Sequence, residues 1–389
     1  MAEKSRILIL TTAYLPQVGG SELAIKNITD RLPEFNFDLI TARFSPAVPA
    51  NEKIGNVNVY RVGNYLSLFS FLLPKNFLPI AVFLRAHKLI AQHGPYDIIH
   101  AYQASQAAGG GWLLKWFYPQ IPFLVTVQEG KVLTSQSWLT RFFRYLIFKK
   151  ADAVTVISNY LAQYVRSQNS RILISVIPNG VDTANYELRI TCLTGRQANY
   201  ELKQKLGIKE NDKVIITVSR LVEKNGVTDL IDAIALVKEI ILDIKLLIVG
   251  DGPLGKSLKF KVKNLKLENN IEFLGEISNE SLPKYLSMAD VFVRPSLSEG
   301  LGTAFLEAMA ARLPIIGTPI GGILDFLKDG ETGLFCKVTD PKDLAEKIVK
   351  ILKNEQLREK ITKNARKLVA EKYDWNIIAE KFNQIYKNQ

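Results

Sequence analysis

The feature that most constrains this chain is an alternation: short runs rich in Ile, Val and Leu recur between longer segments whose apolar residues fall at helical spacing. Strands that read as unbroken apolar runs are buried on both faces, and intervening helices are what covers them, so the pattern predicts parallel sheets sandwiched between helices. "RILILTT", "DIIHA", "FLVTVQ" and "AVTVIS" are the expected strands of the first half; "KVIITVS", "KLLIVG", "IEFLG", "DVFVRPS" and "LPIIGT" are those of the second. Helices are expected over 21–31, 158–167, 227–239 and 254–265. At 389 residues the chain has room for two such domains, each with its own core. The turn in "IPNGVD", followed by irregular polar sequence, places a linker at residues 178–190 and divides the chain into domains 1–182 and 183–372. A closing segment, 373–389, carries Trp375, Ile378, Phe382 and Ile385 as one apolar stripe that needs a partner surface.

Composition narrows the setting. The two cysteines, Cys192 and Cys336, are far apart and lack metal-ligand spacing, which suits a reducing cytoplasm. The start, "MAEKSRILILTT", does not read as a signal peptide. The most apolar stretch, "YLSLFSFLLPKNFLPIAVFL", is interrupted by Pro74, Lys75, Asn76 and Pro79, so a spanning helix is not expected and the protein should be soluble or peripheral. The net charge of +12 is concentrated: residues 61–150 hold ten Lys or Arg (Arg61, Lys75, Arg85, Lys88, Lys115, Lys131, Arg141, Arg144, Lys149, Lys150) against Asp97 and Glu129. The same quarter holds 17 of the 37 aromatic residues. Such a field favours an anionic partner, whether a membrane surface, a nucleic acid or a phosphorylated substrate. No nucleic-acid reader motif is present. Cations interleaved with Trp, Phe and Tyr are what an interfacial helix presents to anionic lipid, although part of this set must be core.

Doubly wound sheets bind ligands at the carboxyl ends of their strands, and two of them are expected to face a central cleft. Three strand exits carry suitable residues. After "RILILTT", Gly19 and Gly20 allow a tight turn and Ser21 is a natural N-cap, so the next helix would offer free N–H groups to an anion; an ordinary capped helix gives the same sequence. After "KVIITVS", Arg220 and Lys224 can neutralise a diphosphate, or can be solvated surface cations. After "DVFVRPS", Glu299 and Glu307 bracket seven uncharged residues, with Thr303 as expected N-cap and the amides from Gly300 through Leu301, Gly302 and Thr303 to Ala304 free for an anion. Two acceptor-only carboxylates flanking an anion site suit a polyhydroxylated phosphate ester.

"PSLSEGLGTAFLEAMA", "SRLVEKNG", "GDGP", "IPNGVD" and "LPQVGGSE", in this arrangement along nearly the whole chain, resemble glycosyltransferase family 4, retaining enzymes of the two-Rossmann-domain GT-B type. The resemblance implies a nucleotide-sugar donor, a UDP-sugar or GDP-sugar, with Glu307 on the ribose hydroxyls and Glu299 on the sugar hydroxyls. Arg220 and Lys224 would hold the diphosphate, faced by Gly19 and Gly20. Asp251, Gly252 and the backbone from Leu274 to Ile277 would line the base. The first domain would be the acceptor side, the second the donor side, and the closing helix would cross back onto the first.

The family often has Lys five residues after the Arg, where this chain has Asn225. It commonly has His after the strand equivalent to "FLVTV", where this chain has Gln128 and then Glu129. Gln cannot act as an acid or base, so such a role passes to Glu129, to His100 or to the substrate; a structural role for His100 is an equal alternative. No Asp-x-Asp occurs, so no metal and no other cofactor is expected. The expected protein is a retaining glycosyltransferase at the cytoplasmic face of the cell membrane, taking a glycan or lipid-linked acceptor. A same-fold epimerase or phosphorylase, or a silent nucleotide-sugar-binding protein, are the alternatives.

Overall fold

The computed structural model describes residues 4–63, 74–129, 137–191 and 193–388; Cys192, Lys131 and the whole of "YLSLFSFLL" lie outside these. The chain forms two compact units, residues 1–179 with 375–389, and residues 180–374.

The first unit runs β1 (Arg6–Leu10), α1 (Gly20–Asp30), β2 (Asn36–Ala42), β3 (Asn51–Ile54), β4 (Val57–Val62), α2 (Pro74–His93), β5 (Ile98–Tyr102), α3 (Gln106–Phe117), β6 (Phe123–Val127), α4 (Trp138–Lys150), β7 (Ala153–Val156), α5 (Asn159–Gln168) and β8 (Leu173–Val176). Its strands lie in the order β3-β4-β2-β1-β5-β6-β7-β8, parallel except for β3, which pairs antiparallel with β4. Central strands are the apolar runs: in β1, Ile7, Leu8, Ile9 and Leu10 are fully buried, and Ile7 sits level with Phe37 on one side and Ile98 on the other. β4 alternates buried and open positions instead, because only one face of it is covered. Glycines 109–111 let α3 press closely on its neighbours. A Cβ on Gly109 would lie 3.1 Å from Pro79 of α2, and one on Gly111 would overlap the Phe123 ring.

The second unit runs α6 (Thr183–Thr191), α7 (Leu193–Lys205), β9 (Lys213–Val218), α8 (Val227–Lys238), β10 (Ile244–Val249), α9 (Gly255–Asn264), β11 (Ile271–Gly275), α10 (Leu282–Leu286), β12 (Val291–Arg294), α11 (Thr303–Ala310), β13 (Ile315–Gly317), β14 (Leu334–Phe335), α12 (Pro341–Lys353) and α13 (Glu355–Lys372). Its sheet is parallel throughout, in the order β11-β10-β9-β12-β13-β14. The core gathers Ile215, Ile231, Ile234, Leu246, Ile248 and Val293 with Ile348 and Ile351 of α12. The segment expected to be irregular after "IPNGVD" is helical instead. Asp182 accepts from the Asn185 N–H at 3.2 Å at the start of α6, and α6 packs on α10 and α11, so a cap and tertiary contact override a weak apolar pattern.

The last helix, α14 (Trp375–Lys387), belongs to the first unit. Trp375, Ile378, Phe382 and Tyr386 are buried in the core that holds Ile25, Ile28 and Phe37, each side chain contributing about 1.5–3 kcal/mol. The division falls at 179/180 and 374/375 rather than 182/183 and 372/373. The Val181 N–H bonds the Tyr373 carbonyl at 2.8 Å and the Thr183 hydroxyl bonds Asp374, which ties both crossing points into the second unit.

Candidate active site

In the second unit β10, β9 and β12 are adjacent, so the loops leaving their carboxyl ends lie side by side. These are the loops that carry Asp251 and Gly252, Arg220 and Lys224, and Glu299 through Glu307. Backbone contacts knit them together. Gly226, at φ +68°, turns the chain into α8, and any Cβ there would overlap the Pro295 carbonyl. The Leu297 N–H bonds the Lys224 carbonyl at 2.7 Å, and the Leu221 N–H bonds the Asp251 carbonyl at 2.9 Å. Gly321 and Gly322 lie so close to the Glu299 and Gly300 carbonyls that neither has room for a side chain, and the Gly322 N–H donates to Glu299 O at 3.1 Å.

On this frame the side chains fall into two sets. Arg220 is exposed, and its guanidinium has no ion pair among the described residues. Lys224 is half-buried one turn on. Beneath them is a buried chain: Asn225 Nδ2 donates to the Arg220 carbonyl at 2.6 Å, Arg294 Nη2 donates to Asn225 Oδ1 at 3.1 Å, and the same Nη2 pairs with Glu299 Oε2. Glu299 Oε1 also accepts from the Gly300 N–H at 3.1 Å. Arg294 and Glu299 are each 8% exposed. Glu307 stands on α11, partly accessible at its surface, yet burial of its carboxyl pushes the pKa up to about 7, with Arg294 pulling the other way.

Polar atoms without partners mark the same floor. The hydroxyls of Thr217 and Ser219 at the end of β9, Arg294 Nε at the end of β12 and the Ser296 hydroxyl are all buried and unsatisfied. Buried polar groups are nearly always bonded, so such a cluster points to a place where a ligand or water completes the bonding. No group of His, Cys, Asp or Glu suited to hold a metal occurs among the described residues. A surface depression of 330 Å³ lined by Leu206, Lys245 and Asn270 lies at the opposite, amino edge of β10 and β11 and carries none of this chemistry.

Several expectations need correction. The N-cap of α11 is Gly302, at φ +91°, and Thr303 is the first helical residue; the left-handed turn is what glycine supplies there. In the first unit the N-cap of α1 is Gly19, not Ser21. The amides there are already engaged: the Glu22 carboxylate takes the Gly19 N–H and its own, Ser21 donates to it at 3.0 Å, and its pKa is raised because burial outweighs these bonds. His100 is fully buried, with Nδ1 on the Tyr386 hydroxyl at 2.7 Å and Nε2 on Thr126 Oγ1 at 2.6 Å, and burial lowers its pKa to about 3. It is a neutral packing residue that joins α14 to the sheet. Glu129 is paired with Arg144 at 2.8 Å, and burial raises its pKa despite that partner. Gln128 Oε1 accepts from Asn179 Nδ2 at 3.3 Å, beside Gly20.

The basic quarter also changes character. Arg61 is buried against Glu52, Lys115 bonds Asp152 and two carbonyls, and Arg144 is internal, so these three cations are structural. Residues that sequence reasoning missed are Arg294, Asn179 as a neighbour of Gly20, and the Gly321–Gly322 clamp. Arg294 had one visible signal, a charge closing the apolar run "VFV".

Two doubly wound parallel units, the second carrying cations and paired glutamates at the exits of adjacent strands, define a protein of the GT-B fold. The profile described as Glycosyltransferase Family 4 matches residues 18–185, and that of Glycosyl transferases group 1 matches residues 199–368. The N-acetyl-alpha-D-glucosaminyl L-malate synthase of Bacillus anthracis is 30% identical over 98% of this chain and 97% of that protein. A phosphatidylinositol N-acetylglucosaminyltransferase subunit of Saccharomyces cerevisiae is 25% identical over 98% of this chain and 82% of that one. The solved structure of Anabaena HepE with UDP and glucose superposes with a TM-score of 0.80 at 22% identity, covering 99% and 100% of the two chains. The chain belongs to glycosyltransferase family 4, and it is a glycosyltransferase.

Proposed function

We propose that this protein transfers a sugar, with retention and without a metal, from a UDP-sugar to a hydroxyl of a lipid-linked or membrane-proximal acceptor. The carrying observation is the strand-exit constellation of Arg220, Asn225, Arg294, Glu299 and Glu307. Glu307 would accept from the ribose hydroxyls and Glu299 from sugar hydroxyls, while Arg220, Lys224 and the amides from Leu301 to Ala304 meet the diphosphate, the Gly300 N–H being held by Glu299. Asp251 and Gly252 would line the base. UDP is favoured over GDP because the relative from Anabaena was solved with UDP and glucose.

Retention is supported by the state of the carboxylates. Glu299 is tied to Arg294 and to a backbone N–H, which makes it a poor nucleophile toward the anomeric carbon. The reaction then runs on one face: the bond from the anomeric carbon to the diphosphate oxygen breaks with its electron pair going to that oxygen. The acceptor oxygen bonds the same face, and its proton passes to the departing diphosphate. The protein's contribution is charge stabilisation by fixed cations and amides.

The membrane reading is supported by α2, α3 and α4, which pack in sequence along the first unit. They leave exposed Phe77, Ile80 and Leu84, Trp116 and Phe117, and Trp138, Leu139, Phe142 and Phe143, with Trp138 71% open. Lys88, Arg141 and Lys149 are exposed among them, and Lys150 Nζ lies 4.1 Å from the centre of the Trp116 ring. Single exposed apolar residues are ordinary, but a rim-charged aromatic group of this extent fits a lipid interface. Among the described residues no helix is long and apolar enough to cross a membrane.

The test is product analysis with labelled UDP- and GDP-sugars, against lipid and soluble hydroxyl acceptors. The expected result is transfer from a UDP-sugar with the donor's anomeric configuration kept. Isomerised donor without transfer indicates an epimerase, phosphate-dependent release a phosphorylase, and binding without turnover a silent binder.

A further inference from the structure

We propose that Arg294 is a donor-phosphate ligand, the second guanidinium of the site beside Arg220, and that it carries the positive charge that position 225 does not. The proposal rests on the nucleotide-sugar reading above. Asn225 lies immediately before the Gly226 turn and is 2% exposed. Its amide joins two strand exits, donating to the Arg220 carbonyl and accepting from Arg294. A lysine at 225 would set an ammonium against that guanidinium. Asparagine supplies an acceptor instead, so the cation on this floor rises from β12 rather than from the turn after β9.

Arg294 has donors to spare. Both of its side-chain bonds use Nη2, one to Asn225 and one to Glu299, and the buried Nε has no partner. A guanidinium presents five N–H groups in a planar fork matched to phosphate, so a partly used fork on a site floor is fitted to take phosphate oxygens. The hydroxyls of Ser219 and Ser296, buried and unpartnered on the same two strand exits, add further donors. Electrostatics requires a cation at this place: without Arg294, an entering diphosphate would meet the Glu299 carboxylate uncompensated. Arg294 compensates the Glu299 charge at Oε2, and Oε1, which already accepts from the Gly300 N–H, keeps a second lone pair for a sugar hydroxyl.

Calorimetric titration of UDP and uridine separates this role from a structural one. Arg294→Met should weaken UDP binding about 10- to 100-fold, as for the loss of a charge-assisted contact, and change uridine affinity less than about twofold. Asn225→Lys added to Arg294→Met restores a cation from the neighbouring strand exit and should recover most of the lost UDP affinity. Arg294→Lys keeps the charge but not the fork and guards against misfolding; it should hold uridine affinity and lose UDP affinity severalfold. Equal loss for uridine and UDP in both single variants, or unchanged UDP affinity in Arg294→Met, overturns the proposal. A wild type that binds neither UDP nor GDP overturns the donor reading itself.

Discussion

Replacing Glu307 with Gln should abolish a pH dependence of nucleoside binding that the wild-type protein shows. Burial raises the Glu307 pKa from 4.5 to about 7, so near neutrality half of the molecules carry a neutral carboxyl. Ribose hydroxyls are donors, and the ionised form, with acceptors only, is the one that takes both. If only that form binds, affinity falls by the factor one plus ten to the power (7 − pH): about twofold at pH 7, about 11-fold at pH 6 and about 30-fold at pH 5.5, relative to pH 8.5. Uridine is the proper probe, because UDP carries phosphate groups that titrate in the same window. The Gln variant should bind more weakly at pH 8.5 and show no slope. Stability gives an independent reading of the same shift. The folded protein binds the extra proton between pH 4.5 and about 7, so the stabilisation present below pH 4.5 is lost as pH rises through 7. The full shift corresponds to roughly 3 kcal/mol, an upper figure for a partly accessible group. The melting-temperature advantage of Glu307→Gln over wild type should therefore grow from pH 4.5 to pH 8. A wild-type uridine affinity that is flat from pH 5.5 to 8.5, or an equal slope in the variant, would refute the ribose role.

Further outcomes concern catalysis and membrane binding. Arg220→Ala should lower kcat by roughly 10² to 10³ through loss of charge stabilisation, and wild-type turnover should survive EDTA; abolition by EDTA with recovery on Mg²⁺ would reveal a metal site. The protein should float with anionic vesicles more than with neutral ones and less in high salt, and Phe142→Asp with Phe143→Asp should release it; a wild type that never floats makes a soluble acceptor the better reading.

How far the sequence spoke depended on whether the signal was local. Strands such as β1 and β9 are buried on both faces and announce themselves as apolar runs, and the stripe on α14 is buried at Trp375, Ile378 and Phe382, with Tyr386 in place of the half-buried Ile385. β4 escaped notice because one open face dilutes its pattern, and α6 and α7 because polar helices are decided by caps and neighbours. At the site, Arg220 is conspicuous because it closely follows β9, and Glu299 and Glu307 because they bracket an uncharged stretch between β12 and α11. Arg294 is harder: its partners Asn225 and Glu299 lie on different strand exits, and only the order β9-β12 brings them together. His100 misled for the converse reason. A histidine at a strand's end resembles a proton shuttle until Tyr386, 286 residues on, is seen to fill its hydrogen bond.

The glycines of the second unit explain how such a site holds its shape. Gly226 meets the Pro295 carbonyl, Gly250 the Ser219 carbonyl, Gly321 the Glu299 carbonyl and Gly322 the Gly300 carbonyl, and each contact joins the exit of one strand to that of its neighbour. A side chain at any of these positions would push two loops apart. With all four in place, the amides from Gly300 to Ala304, the Glu299 carboxylate and the Arg220 turn are fixed by backbone against backbone, which is stiffer than contact between flexible side chains. Fixed dipoles stabilise developing charge without reorganising as the reaction proceeds, and that advantage is greatest where water is scarce, as around Glu299 and Arg294. The same rigidity assigns a division of labour. On the proposed reading the frame sets where the diphosphate oxygens go, and the few side chains that rise from it, Arg220, Arg294, Glu299 and Glu307, decide which phosphate ester is held there.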